Sequence, residues 1–304
     1  MDDARSAAAT WPLIAHFAAA ERRLGALAER RATTAVLYEF LRFGCKQAWA
    51  CLFAGVMVAL LVGTARWYPH GATLARYDAL FLAALGAQIA MLALRLETLD
   101  EARVILVYHV IGTVMEIFKT EAGSWIYPEA AFFRIGGVPL FSGFMYASIG
   151  SYIARCWRLF DFRFTRHPPL RPLAVLCVAI YANFYTHHYI VDVRPALFIA
   201  AAWMFRGTWI HFRVWRVHRR MPLLVGLLLV AAFIWIAENL GTLTATWLYP
   251  HQAGAWSAVK LGKFGSWFLL LIVSYTLVAA VNRPLRTAGR TELTGAARAP
   301  GCRA

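Results

Sequence analysis

His109, Gly112, Thr113 and Glu116 stand at i, i+3, i+4 and i+7 within YHVIGTVMEIFKTEAGSWIY, residues 108–127. A helix puts all four on one face. The stretch opens as an apolar helix, and a carboxylate there is expensive in lipid, about +2.5 kcal/mol or more on insertion scales. Glu116 is therefore expected to face the protein interior and to have a task there. His109 lies two turns deeper, about 10 Å away at 1.5 Å per residue. A helical His/Glu pair suits proton transfer, because burial and a neighbouring carboxylate tune the proton affinity of both groups. His109 and Glu116 are thus the candidate catalytic pair, with Glu238 as a second acid or positioning group. A structural role competes at each position. Glu116 is equally suited to a hydrogen bond across a bundle or to pairing with Lys260, Lys263 or Arg206, and His109 to donating one hydrogen bond as a neutral ring.

A second group is His187, His188 and Asp192. The spacing of His188 and Asp192, i and i+4, suits two ligands of a first-row divalent metal, with His187 as a third. No HExxH motif and no repeated three-histidine box accompanies them, so an interfacial hydrogen-bonding patch is the competing reading. No other cofactor is indicated. Trp125, Tyr127, Glu129, Tyr146, His251 and Lys260 are the candidate substrate-binding residues. The aromatic ones among Trp125, Tyr127, Trp247 and Tyr249 also fit the role of membrane-interface anchors.

These residues need elements to hold them. Hydrophobic residues make up 60% of the chain and charged ones 15%, and the mean hydropathy is +0.54. Such a composition predicts an all-α polytopic transmembrane bundle rather than a water-soluble domain. About eight segments are apolar enough to span a bilayer: 46–66, 77–96, 102–120, 138–158, 172–191, 195–213, 222–244 and 257–281. The net charge of +15 invites a nucleic-acid reading. Its distribution argues against one. With the N-terminus inside, 23 of the 31 Lys and Arg fall on the cytoplasmic side and 7 on the outer side, while Arg206 lies in a predicted span. That asymmetry is the positive-inside pattern and predicts both termini in the cytoplasm of a bacterial inner membrane. Membrane lipids are the expected partners, nucleic acid is not, and oligomeric state is not legible.

Residues 1–45 carry Arg22, Arg23, Arg30, Arg31 and Arg42 among alanines and leucines. They read as a basic amphipathic arm along the inner leaflet. A cleaved signal peptide is the less favoured alternative, since Pro12 and His16 interrupt its core. Residues 283–304 read as a disordered cytoplasmic tail. Cys45, Cys51, Cys156 and Cys177 fall toward the inner halves of spans, Cys302 lies in the tail, and none has CxxC spacing. Neither a disulfide framework nor a zinc ribbon is expected.

Between arm and tail the sequence repeats. Glu116, Trp125, Tyr127 and Pro128 recur as Glu238, Trp247, Tyr249 and Pro250, each at an offset of 122. The same shift lays the first four spans on the last four. Residues 46–160 and 161–282 are therefore expected to be two four-helix repeats of the same orientation. Chemistry differs between the copies: His109 corresponds to Ala231, Gly112 to Ile234 and Glu129 to His251. One asymmetric site on a duplicated scaffold is the prediction. Its polar groups converge at the outer ends of the helices. Gly143, Ala147, Gly150 and Ala154 form a small-residue stripe for close helix packing. The glycines from Gly123 to Gly143 predict tight turns or a partly re-entrant loop.

HVIGTVMEIFKTEAGSWIYPE, with VPLFSGFMYASIGSYIAR and NFYTHHYIVDVR, resembles the YoaT-like family of bacterial integral-membrane proteins, a domain of unknown function. The resemblance covers roughly residues 35–282 and implies a polytopic membrane protein without supplying an activity. The pattern of His109, Gly112, Glu116, Gly123, Trp125, Tyr127 and Pro128 is also similar to membrane carotenoid hydratases, which add water across an isoprenoid double bond.

Three functions are compatible with these features. The first is a membrane-embedded enzyme using Glu/His acid–base chemistry, with or without a metal, on a lipid or isoprenoid from the outer leaflet. The second is a repeat-built small-solute transporter. Its difficulty is PLLVGLLLVAAF, the inner half of the seventh span, which has no polar side chain to line a path. The third is a non-catalytic scaffold subunit docking through its basic arm. No Walker loop, GxGxxG after a strand, GxSxG elbow or CxxCH is present, so nucleotide-driven work and serine hydrolysis lack support.

Overall fold

A computed structural model describes residues 23–69 and 71–281. Most of the basic arm, with the signal-peptide alternative, and the tail with Cys302 lie outside the described residues.

The chain is mostly helical. Helix α1 (Ala32–Ala50) meets α2 (Leu52–Trp67) at Cys51 with a bend of 67°. The predicted first span at 46–66 thus straddles a corner, and the apolar pass begins at Leu52. Polar tethers on α1 fix that corner. Glu39 pairs with Arg219, and Lys46 donates to the carbonyls of Leu159 and Arg213 at 2.8 and 3.0 Å. Helix α2 instead buries Phe53, Met57 and Leu61, an i, i+4, i+8 stripe facing the bundle. Helix α3 (Arg76–Ala93) follows. Helix α4 (Leu99–Glu121) starts at a capping box in which Thr98 and Glu101 satisfy each other's backbone N–H.

Helix α5 (Phe141–Phe160) is the axis of the molecule, with most of its side chains buried. Its small residues let α4 approach closely, as the stripe predicts. A Cβ on Gly143 would lie 2.6 Å from His109 Nδ1, and one on Gly150 2.8 Å from the Tyr108 ring. In return, a Cβ on Gly112 of α4 would lie 2.6 Å from Tyr146. At the far end of α5, Arg155 and Glu97 form an ion pair with fully buried side chains, joined by Ser151 at 2.7 Å.

The loop between α4 and α5 contains a short ribbon, β1 (Arg134–Ile135) with β2 (Val138–Pro139). Its turn is Gly136-Gly137, φ +56° and +78°, the left-handed pair that a two-residue hairpin requires. Asp78 of α3 accepts the N–H groups of Phe132 and Phe133 at 2.8 Å and anchors the ribbon.

The second half brings α6 (Leu170–Thr186), α7 (Arg194–Phe205), α8 (Leu223–Leu243) and α9 (Leu261–Val281). Strands β3 (Arg163–Thr165), β4 (Trp209–Arg213) and β5 (His218–Pro222) form an antiparallel sheet with β4 central. The predicted sixth span at 195–213 is corrected here. Its helix stops at Phe205, and WIHFR is a strand paired on both edges. Arg206 is therefore outside any helix interior and stacks on Trp203, 3.8 Å from the ring centroid.

By length and composition, α3, α8 and α9 can each cross a membrane, and α1–α2 adds a fourth if it counts as one bent pass. About eight independent passes are not met by that measure. Helices α4 and α5 are long enough but keep charged residues inside the bundle, and α6 and α7 are short. The outer faces are apolar, as at Val178 of α6, Ile199 of α7 and Phe233 of α8, each about 70% exposed. Such a surface fits lipid better than water.

Candidate functional site

Glu116 and Glu238 lie where α4 and α8 end, each held by residues that follow on its own chain. Helix α4 stops at Ala122, and Gly123 takes a left-handed φ of +68°. The chain then turns back so that Trp125 Nε1 and the Tyr127 hydroxyl both donate to Glu116 Oε2 at 2.7 Å. Tyr146 of α5 donates to Oε1 at 2.7 Å. The carboxylate is 3% exposed and accepts from three neutral donors.

Around Glu238 the same local course is followed with different partners. Helix α8 ends at Thr244, Ala245 takes φ +51°, and the Tyr249 hydroxyl donates to Glu238. Trp247 does not repeat the bond of Trp125. Its ring edge abuts Gly241 and leaves no room there for a Cβ. The indole that bonds Glu238 is Trp267 of α9, and Lys263, one turn earlier, stands 3.8 Å from the carboxylate. Between the two carboxylates, Ile126 and Leu248 exchange backbone hydrogen bonds of 2.9 and 3.0 Å, bridging the loops.

Lys263 points across this junction to the faces of Trp125 and Tyr249, at 4.0 and 5.1 Å from the ring centroids. Beyond it is a cavity of about 160 Å³ where α4 and α6 end and α7 and α9 begin. Its lining is mixed, polar at Lys119, Arg194, Lys263, Ser124, Asn183 and Ser266 and apolar at Ile180, Phe184, Leu269 and Leu270. Leu270 also lines a second, smaller cavity of about 40 Å³ with Tyr108, Met115, Ile149 and Leu277.

The predicted His109–Glu116 pair is not assembled. His109 sits in the α4–α5 seam against Phe144, ring centroids 4.6 Å apart, and its buried Nδ1 has no hydrogen-bond partner among the described residues. Tyr146, from the next helix, takes the place beside Glu116 that the pairing requires.

The structure does not gather the predicted metal ligands either. Among the described residues no three His, Cys, Asp or Glu side chains are placed to hold a metal ion. His187 Nδ1 bonds the Asn183 carbonyl at 2.9 Å. His188 Nε2 accepts from Lys119 Nζ at 2.8 Å. Asp192 is taken by Arg194, with Nε at 2.6 Å, and that bond holds its carboxyl well below the usual carboxylate range. In the loop after α6, burial first, then the charge of Lys119, keeps the His188 ring below the ordinary imidazole value.

The predicted substrate-binding residues divide. Trp125, together with Tyr249, faces the cavity, and Tyr127 and Tyr146 serve Glu116 behind it. Glu129 is outside, in an ion pair with Arg76 at 2.5 Å. His251 and Lys260 are exposed, His251 stacked on Tyr249 at 5.7 Å. Residues that sequence reasoning passed over are Lys119, Arg194, Ser266 and Trp267. One signal was available for Lys119: the residue at the offset of 122 is Gly241, so a cation stands at only one of the two positions.

Residues 39–275 match a family described as a protein of unknown function, DUF817. The chain belongs to the DUF817 family. Over 245 residues, 81% of this chain and 92% of the relative, it is 42% identical to the uncharacterized protein YoaT of Bacillus subtilis (strain 168). That agrees with the resemblance seen in the motifs around Glu116, Ser142 and His187. No solved structure matches this DUF817 member.

Proposed function

We propose that this DUF817 member is a multi-pass protein of a bacterial inner membrane, with both termini cytoplasmic, that acts on a lipid or isoprenoid drawn from the outer leaflet. Eight segments alternate in direction. Helix α7, about 18 Å long for 12 residues, is completed by β4, whose pairing on both edges satisfies its backbone. The segments form two four-helix units related by the offset of 122. The reciprocal Ile126–Leu248 bonds and the matching left-handed Gly123 and Ala245 support that relation.

One observation carries the functional reading. Lys263 and Tyr249, both engaged with Glu238, line a cavity whose walls combine polar and apolar side chains. An amphipathic substrate suits such walls, and a carboxylate–ammonium pair beside it can take up and return a proton. Glu116 acts as the fixed acceptor that holds Trp125 in the cavity wall. His109 is left outside this chemistry.

The test uses lipid extracts from a strain lacking the protein, beside strains carrying Glu238→Gln or Lys263→Met. A common change in lipid or isoprenoid composition is expected in all three. An unaltered profile sinks the enzymatic reading.

The transporter reading has one observation in its favour. Polar side chains recur along the α4–α5 seam from Glu97 and Ser151, past Ser148 and His109, to Ser142 and Glu116. His109 Nδ1 is buried there with no hydrogen-bond partner among the described residues. Proteoliposome uptake abolished by His109→Phe, with a normal lipid profile, would establish it in place of the enzyme.

A further inference from the structure

Three cations face the 160 Å³ cavity, and their compensation is unequal. Arg194 has Asp192 at 2.5 Å, and Lys263 has Glu238 at 3.8 Å. Lys119 has no carboxylate partner among the described residues, although it is 3% exposed. Its neighbours are His188 Nε2 at 2.8 Å and the faces of Phe184 and Phe118, at 4.1 and 5.9 Å. Neutral acceptors and ring faces soften a buried ammonium but supply no counter-charge. The cavity therefore holds a basic group for which no described residue supplies an anion.

The donors around that group point to a particular anion. Arg194 reaches Ser266 Oγ at 3.1 Å, and Ser124 Oγ lies 3.3 Å from the same His188 nitrogen that Lys119 meets. Ammonium, guanidinium and hydroxyl donors thus reach one space from three helices, α4, α7 and α9. A flat carboxylate presents two oxygens, whereas a phosphoryl group presents three around a tetrahedron and answers scattered donors better. The same cavity is apolar at Ile180, Phe184, Leu269 and Leu270, and Leu270 also lines the 40 Å³ cavity beside Met115, Ile149 and Leu277. An occupant with a charged end and a hydrocarbon tail matches the two linings.

We propose that this cavity binds the phosphoryl end of an amphipathic molecule, with Lys119 as its principal charge partner, Arg194 and Ser266 as further donors, and the chain running past Leu270. The assignment rests on the reading of the cavity as a lipid or isoprenoid site and names the chemistry of the head. It requires no turnover.

The full-length protein in phosphatidylcholine nanodiscs is titrated with geranylgeranyl monophosphate, with geranylgeraniol, and with inorganic phosphate alone, and binding is read by thermal shift and native mass spectrometry. The monophosphate is expected to bind at least about tenfold more tightly than the alcohol, the worth of one charge-assisted contact. Lys119→Met is expected to remove that preference while keeping the melting temperature without ligand at or above that of the wild type, since it deletes a buried basic group with no anionic partner among the described residues. Ser266→Ala, on α9 rather than α4, should weaken the monophosphate about threefold or more and leave the alcohol unchanged. Equal binding of alcohol and monophosphate, or an undiminished preference in Lys119→Met, overturns the proposal. Inorganic phosphate matching the monophosphate overturns the tail and makes free phosphate the ligand. Binding as expected with an unchanged cellular lipid profile keeps the site and removes the enzymatic reading; an altered profile unaffected by Lys119→Met does the reverse.

Discussion

Glu116 and Glu238 begin alike and end differently. Each closes a long helix, is followed by a left-handed residue, and receives the hydroxyl of the tyrosine eleven positions on. Around Glu116 the remaining donors are one indole and one phenol, all neutral and at ordinary lengths, and Glu116 lines neither of the two cavities described above. Around Glu238 a lysine enters, and through it the group borders a space large enough for a ligand head. A sealed carboxylate with three neutral donors is an anchor. A carboxylate sharing its field with a movable ammonium beside a cavity can respond to what arrives. The difference comes from which neighbouring helix supplies the third partner, Tyr146 of α5 or Trp267 and Lys263 of α9.

The sharpest break of this contrast is apolar replacement. Glu116→Leu orphans two hydroxyls and an indole N–H in a buried site, each costing about 1–3 kcal/mol, so a loss above about 3 kcal/mol and poor accumulation are expected. Glu238→Leu should cost less, since Lys263 can turn to the cavity. Thermal unfolding of both purified variants decides it, and equal losses would erase the distinction.

Gly112→Ala comes next, at about 1–3 kcal/mol for overpacking. Its new methyl meets Tyr146, so the damage should extend to the Glu116 cage and leave the tryptophan fluorescence change of ligand binding near Lys263 intact. Tyr127→Phe removes one donor to a charged acceptor, about 1.5–3 kcal/mol. Tyr249→Phe should fall below it and show instead as altered ligand binding; the reverse order in denaturation and binding curves would invert the assignment of anchor and responder.

The smallest effect is with pH. His188 is held neutral below the ordinary imidazole value, so its contribution is complete above about pH 6.5 and declines as pH falls through the depressed folded value. A modest drop in melting temperature between about pH 6.5 and 5 is expected. Lys119→Met should reduce it, because the positive neighbour that opposes protonation is gone; an unchanged slope in that variant would mean that burial alone controls the ring.

Much of the helical architecture was legible because apolar length survives in the sequence: α3, α8 and α9 fall close to the predicted spans. The Glu–Tyr correspondence was legible too, since spacing alone carries it. The end of α7 was not, because WIHFR is as apolar as a helix interior and only Gly207 precedes it as a break. The corner at Cys51 has no proline or glycine at the bend and is set by tethers to β5 and α5, which are distant in sequence. The His109–Glu116 pairing failed for the same kind of reason. Helical spacing shows which side chains share a face, but Tyr146 arrives from another helix and takes the carboxylate first. The charged cavity was the least visible part, since Lys119, Arg194 and Lys263 come from three separate helices and no single stretch displays them together.

The Ile126–Leu248 rung is made entirely by main chain, and no side-chain exchange short of proline removes it. Sequence drift at those two positions is therefore free to proceed while the join between the loops stays the same. A rung of this kind lets one half of the molecule become specialised in charge and the other in rigidity without either losing its grip on the other.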